Sequence, residues 1–431
     1  MANYCELGKT ELKEILNSLK DRYESFMSNK QKLDMSRGRP CREQLDLSLD
    51  MLKFEPEKEY YFTENGIDCR NYGVVDGIPE IKQLFSELLG VGEKELIASG
   101  NSSLNLMHDT ISRALLHGVY GGKKPWSSYN KVKFLCPSPG YDRHFAICEL
   151  FGIEMIPVEM NPGGPDMDLV QKLAADDGTI RGIWCVPQYS NPDGITYSDE
   201  TVELLANMKT KADDFRIFWD NSYFVHDLYD DKRERVMNIL DACKKAGNPD
   251  RPFIFAATSK ITFPGSGVAV LAASEGNINL IRKQINIQTI GPDKLNQLRH
   301  ARFLKNPEFI EAHMKKHAEI IRPKFAAIDA ILEDELEGKG IATWTKPVGG
   351  YFISFYTMDG CAKRVEKLAN EAGLILTPVG ATYPYGRDPH DSNIRISPTI
   401  PSVEELQVSM RLFSVCVQIA SVEKLLGLVY N

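Results

Sequence analysis

The chain has 431 residues, with 51 Lys+Arg against 59 Asp+Glu and a formal net charge of −8, which argues against a general nucleic-acid binder because such proteins carry a basic excess. No apolar run approaches the roughly 20 residues of a membrane span, and the N-terminus shows no secretory pattern. Nine scattered cysteines without a Cys-x-x-Cys pair read as reduced core thiols of a cytoplasmic protein, and the length predicts roughly two or three domains.

Residues 9–31 read as one amphipathic helix, with Leu12, Ile15, Leu16 and Leu19 at helical spacing. Ser36-Arg37-Gly38-Arg39-Pro40 ends it as a loop. From about residue 80 to 300, helices near Ile81–Leu89, Ser103–Leu116, Arg143–Leu150 and Thr201–Ala212 alternate with short apolar strands. Those strands are expected at Val132–Cys136, Ile153–Val158, Gly182–Val186, Arg216–Trp219, Phe253–Ala257 and Gly267–Ala272. The alternation predicts an α/β fold class, with a large, mostly parallel sheet flanked by helices. The last third changes rhythm: a helix over Pro307–Glu337, a strand over Gly349–Phe355, a helix over Cys361–Glu371, a strand over Asn393–Ser397 and a closing helix over Val403–Leu425. It reads as a smaller α+β domain. The expected division is 51–305 for the large domain and 1–50 with 306–431 for the small one.

Three patterns carry no chemistry. Gly265-Ser266-Gly267 lacks the third glycine of a dinucleotide fingerprint. His313 and His317 stand at i, i+4 beside Lys315 and Lys316, which reads as a solvated helix face, so no metal site is expected. Asn101-Ser102-Ser103 matches a glycosylation sequon that has no meaning without secretion.

Polar residues placed just after consecutive strands are more informative, because in open α/β sheets such positions converge where ligands bind. Lys260 follows an apolar strand; desolvation there lowers the amine's pKa and makes it a nucleophile toward an aldehyde, although a lysine snorkelling to the surface fits the same pattern. Asp220 ends the preceding strand, as a helix N-cap or as a carboxylate that keeps a pyridine nitrogen protonated. Tyr223, three residues on, and Asn191, in an Asn-Pro turn, suit a phenolic oxygen on the same ring. Gly100-Asn101-Ser102-Ser103 opens a helix, as a plain cap or as a phosphate seat. Tyr141 offers a ring for stacking. In Asn393-Ile394-Arg395-Ile396-Ser397, Ile394 and Ile396 face the core, which turns Arg395 the other way, either as a plain surface arginine or as a fork suited to a carboxylate.

Taken in order, Tyr72-Gly73, Gly100-Asn101-Ser102, Tyr141, Asn191-Pro192-x-Gly194, Asp220-x-x-Tyr223, Ser259-Lys260 and Arg395 resemble the site residues of fold-type I pyridoxal-phosphate enzymes of the class I aminotransferase group. Residues 36–40, 99–106, 258–267 and 289–294 look most like the bacterial aspartate aminotransferase subgroup Ic, which is related to the aminotransferase half of the MocR regulators. The resemblance implies pyridoxal 5′-phosphate as cofactor, amino acid and 2-oxo acid substrates (aspartate or glutamate with 2-oxoglutarate), and a homodimer with a shared active site. It implies that Lys260 binds the cofactor covalently and moves the proton. Asp220 pairs with the ring nitrogen, Asn191 and Tyr223 hold the ring oxygen, and Tyr141 stacks. Asn101, Ser102, Ser103 and Ser259 hold the phosphate, Tyr72 reaches the neighbour's phosphate, and Gly38 and Arg395 bind the α-carboxylate. Arg37, Arg39 and Arg143 are candidates for a distal carboxylate. One position departs from the family: Gly267 stands where a phosphate-binding arginine is expected. Lys294 is the candidate replacement, reaching from the partner chain; the plain alternative is a solvated turn lysine. Two other readings share parts of this pattern: a pyridoxal-phosphate lyase or synthase, and a non-enzymatic MocR-like ligand-binding protein, which lacks room here for its DNA-binding domain.

Overall fold

The computed structural model describes residues 2–28, 32–53 and 60–428. Among them the strands are β1 (Leu33–Asp34), β2 (Leu96–Ala98), β3 (Lys133–Ser138), β4 (Glu154–Asn161), β5 (Gly164–Pro165), β6 (Ile180–Cys185), β7 (Arg216–Asp220), β8 (Pro252–Ala257), β9 (Ala269–Ala272), β10 (Ala342–Trp344), β11 (Ile353–Thr357), β12 (Leu374–Ile375) and β13 (Asn393–Ile396). Eight form one sheet in the order β2-β9-β8-β7-β6-β3-β4-β5. Its centre, from β8 to β4, is parallel, while β9 and β5 pair antiparallel with their neighbours. The inner strands β6, β7 and β8 are buried along their whole length because both faces are covered. Leu135, Ile183, Ile217, Trp219 and Ile254 face one layer. Phe134, Trp184, Phe218, Phe253 and Phe255 face the other. Helices Pro79–Leu89, Met167–Asp176 and Asp199–Asn207 close the first side through Ile81, Val170 and Val202. Helices Ser103–His117, Asp142–Leu150 and Glu275–Gln288 close the second through Ile111, Cys148 and Ile281.

A further core gathers Leu12, Leu16 and Leu19 of helix Lys9–Ser28, Phe325 and Ile328 of helix Pro307–Leu336, Phe355 of β11 and Phe413 of helix Val403–Leu425. It packs on the antiparallel sheet β10-β11-β13. The long helix starts where the sequence says it should: Asn306 accepts the amide of Phe309, and Pro307 takes the first turn, where no N–H is needed. β1 pairs in parallel with β12 and so ties the N-terminal segment to the C-terminal one.

Most expected elements occur within a few residues of their predicted bounds. The helix expected over 9–31 runs to Ser28, and residues 29–31 lie outside the described residues. The helix expected to reach Ala212 stops at Asn207. The strand expected from Gly349 starts at Ile353.

The expected solvated face at His313 and His317 is wrong. They are 4% and 1% exposed. His313, Met314, His317 and Ala318 share the inward face of the helix, while Lys315 and Lys316 fall on the outer one. The His317 and His313 rings meet at Nε2, 3.1 Å apart. Gln44 Nε2 lies 3.1 Å from His317 Nδ1, and His313 Nε2 lies 2.9 Å from the carbonyl oxygen of Ile261. Burial pushes His317 down to about 3, so this is a neutral packed cluster. No metal-holding group of acids, cysteines and histidines occurs among the described residues, and no helix there is long and apolar enough to cross a membrane. All nine cysteines are free; eight are buried as expected, but Cys5 is exposed.

Candidate active site

β3, β6, β7 and β8 are parallel, so their carboxyl ends open on one edge of the sheet. Asp220 is the last residue of β7 and is in register with Phe255 of β8. Lys260 follows the end of β8 in a turn closed by the Ile261 amide on the Thr258 carbonyl. Tyr141 stands at the N-cap of helix Asp142–Leu150 after β3, and Asn191 sits in the loop after β6. Gly38, Ser102, Ser103, Tyr141, Asn191, Asp220, Tyr223, Ser259 and Lys260 line one cavity of about 230 Å³, with Phe352. A larger hollow of about 330 Å³ contains none of the expected residues.

The polar groups of this cavity are oriented by their partners. Asp220 is 3% exposed. Its Oδ2 lies 3.0 Å from His144 Nε2, and its Oδ1 accepts from the Ser222 hydroxyl at 2.5 Å. His144 in turn is stacked on Trp184, with ring centroids 4.3 Å apart. Arg395 Nη1 donates to Asn191 Oδ1 at 3.2 Å, which leaves the Asn191 Nδ2 hydrogens to donate elsewhere. The Lys260 ammonium lies 4.9 Å from the centre of the Tyr223 ring. Desolvation lowers the pKa of Lys260 below its ordinary value, opposed by the charge of Asp220. Burial raises the phenols of Tyr223 and Tyr141, so both are neutral hydrogen-bond donors at neutral pH. At Gly38 a Cβ would lie 2.3 Å from Cζ of Phe352, so glycine is required where this loop passes the ring.

The helix beginning at Ser103 offers its first amides, and the Ser102 hydroxyl at its N-cap makes no capping bond. A seat with unused donors, an amine and a buried carboxylate in one cavity fit the phosphate, aldehyde and ring nitrogen of pyridoxal phosphate.

Four expected residues lie elsewhere. Asn101 lines a neighbouring hollow with Gly267 and Arg299, and its Nδ2 donates to the Gly265 carbonyl at 3.4 Å. Arg395 stands behind Asn191, its guanidinium 5.0 Å from the centre of the Phe352 ring. Tyr72 is 79% exposed. Lys294 is not a solvated turn residue: it opens helix Lys294–Leu304, is 4% exposed, and donates to the Gly73 carbonyl at 3.0 Å. It therefore anchors the segment that carries Tyr72. At Gly267 a Cβ would lie 3.0 Å from the Asn101 carbonyl oxygen and 3.2 Å from Thr258 Oγ1, so the loop leaves little room for a side chain. Arg37, Arg39 and Arg143 are exposed and line no part of the cavity.

Sequence reading missed His144, Ser222, Asp142 and Phe352. His144 follows Tyr141 by one helical turn, which is the local signal that would have placed it beside the same ligand.

An aspartate amino-transferase family model matches residues 7–428. A protein of Mycolicibacterium smegmatis named as an aminotransferase is 47% identical over 426 residues, covering 99% of each chain. The aspartate aminotransferase of Corynebacterium glutamicum is 44% identical, covering 94% of this chain and 93% of its own. A crystal structure of an aspartate transaminase from Corynebacterium glutamicum superimposes with a TM-score of 0.96 at 42% identity, over 98% of this chain and 99% of that one. With matches of this extent over a fold and cavity of this construction, the chain belongs to the aspartate amino-transferase family and is an aminotransferase of the pyridoxal-phosphate fold-type I class.

Proposed function

We propose that the protein exchanges an amino group between aspartate or glutamate and a 2-oxo acid such as 2-oxoglutarate, with pyridoxal 5′-phosphate in the 230 Å³ cavity. The observation that carries this reading is the convergence of Lys260 and Asp220 on that cavity, each in the environment its role needs. When bound, the cofactor supplies an aldehyde for amines and a protonated ring that withdraws electrons. Lys260, partly desolvated, holds a usable amine that accepts and returns a proton. Asp220, oriented by His144 and Ser222, keeps the ring nitrogen charged. Tyr223 and the Nδ2 group of Asn191 donate to the ring oxygen, and Tyr141 covers the ring face. Ser102, Ser103 and Ser259 hold the phosphate with the helix amides, and Asn101 braces the adjoining loop. Gly38 and Arg395 take the α-carboxylate.

The exposure of Tyr72, away from its own chain's cavity, supports a homodimer in which it serves the partner's phosphate. Lys294 holds Tyr72's loop in place. Residues 51–305 form the cofactor unit, and 1–50 with 306–431 the smaller one, in a cytoplasmic enzyme without nucleic-acid or membrane partners. The acidic donor is supported by the relative named an aspartate aminotransferase.

The test is a half-reaction followed by absorbance on cofactor-loaded protein, with product analysis. Aspartate or glutamate should be converted to the 2-oxo acid faster than alanine or leucine by about thirty- to a hundred-fold, the discrimination that a charge-assisted hydrogen bond to the distal carboxylate gives; Arg37, Arg39 and Arg143 do not line this chain's cavity, so the reading rests on the substrate side alone. Equal turnover of a neutral donor would overturn the substrate. Elimination products in place of the 2-oxo acid would favour a lyase.

A further inference from the structure

Arg395 is already engaged in the resting site. It lies on β13 opposite Ser354 of β11 and is 7% exposed. Both hydrogens of Nη1 have acceptors: Asp142 Oδ1 at 2.9 Å and Asn191 Oδ1 at 3.2 Å. Nε donates to Thr377 Oγ1 at 3.4 Å. Nη2 donates to no protein group among the described residues.

Asp142 opens the helix that follows Tyr141. Its side chain is 32% exposed against 8% for Arg395, and Arg395 is the only cation in ion-pair contact with it among the described residues. The anion therefore sits on the solvent side of the pair. A buried guanidinium needs a counter-charge. A carboxylate gripped end-on by both Nη atoms needs a hydrogen of Nη1. Asn191 is 4% exposed and holds its place in the cavity wall, so Asp142 is the group that has to leave.

We propose that Asp142 is a built-in competitor for the α-carboxylate subsite. It neutralises and aims Arg395 while no substrate is bound, and it swings toward solvent when the substrate's carboxylate takes its place. Asp142 thereby sets substrate affinity without touching the reacting atoms; it is a positioning residue. The inference rests on the reading of Arg395 as the α-carboxylate residue.

Asp142→Asn tests it, with calorimetric titration of acetate and of succinate into cofactor-loaded protein. Both anions lack an amino or keto group and cannot react. Each should bind about tenfold tighter or more, and by a similar factor, because the removed charge acts at a subsite both use. The KM for the amino donor should fall while kcat changes less. Asp142→Ser should behave the same way, which separates loss of charge from the new amide. A purely structural Asp142 predicts weaker binding, so equal or weaker anion binding in both variants overturns the proposal. Arg395→Leu is the independent arm and should abolish anion binding. If it does not, the assignment of Arg395 itself fails, whatever the Asp142 variants show.

Discussion

Asp193 follows Asn191-Pro192 and ties the loop after β6 to the β10-β11-β13 sheet. It is 5% exposed. Tyr356 of β11 donates its hydroxyl to Asp193 Oδ1 at 2.8 Å, and Ser354 provides a second hydroxyl. These partners are neutral, so burial dominates and raises the carboxyl from 3.8 to about 6. The folded chain thus binds this proton more tightly than the unfolded chain does. The stabilisation from the protonated group is complete below 3.8 and is lost as pH rises through about 6. At roughly 1.4 kcal/mol per pH unit, the ionised group costs about 3 kcal/mol above that range. Asp193→Asn keeps the shape and the acceptor for Tyr356 but cannot ionise. With an unfolding entropy of about 2.1 cal/mol/K per residue, 3 kcal/mol is a Tm rise of about 3 °C for a chain of this length. Scanning calorimetry at matched cofactor loading should show the variant more stable than the parent by about that amount at pH 8, with the gap closing toward pH 4. A variant less stable at pH 8, or a gap independent of pH, would mean that the buried Asp193 carboxyl is not held protonated by the fold.

Gly38→Ala places a Cβ 2.3 Å from the Phe352 ring, which also packs on Arg395; kcat/KM should drop at least about tenfold while cofactor absorbance persists. Lys294→Met removes the tie to Gly73 and should raise the cofactor dissociation constant about tenfold, measured by equilibrium dialysis. Gly267→Arg should weaken cofactor retention in the same assay, because its first side-chain atom already crowds Asn101 and Thr258.

The parallel core was legible because strands such as Phe253-Ile254-Phe255-Ala256-Ala257 are apolar on both faces, and their carboxyl ends follow from direction alone. Lys260, Asp220 and Asn191 were legible for the same reason: each follows or ends such a strand. Asp142 on Arg395 was not, because the two are 253 positions apart and no periodic pattern links them. The histidine pair misled because adjacent lysines mask a buried face; only packing against Ile261 and Gln44 reveals it. The sequence alone presents Gly267 as a missing arginine, but its small size follows from the close approach of Asn101. The buried contact of Lys294 with the Gly73 carbonyl depends on where residue 73 lies, which the turn sequence around Lys294 does not encode.

The proposed mechanism turns on Lys260, which binds the cofactor and moves the proton. The most direct measurement is the absorbance spectrum of cofactor-loaded parent and Lys260→Ala protein, before and after aspartate is added. The parent should show a band near about 420–430 nm, the signature of a lysine-linked pyridoxal ring, and lose it on adding aspartate. The variant should lack that band and form no 2-oxo acid. An unchanged band in Lys260→Ala, with turnover of aspartate retained, would show that another residue carries the cofactor and moves the proton.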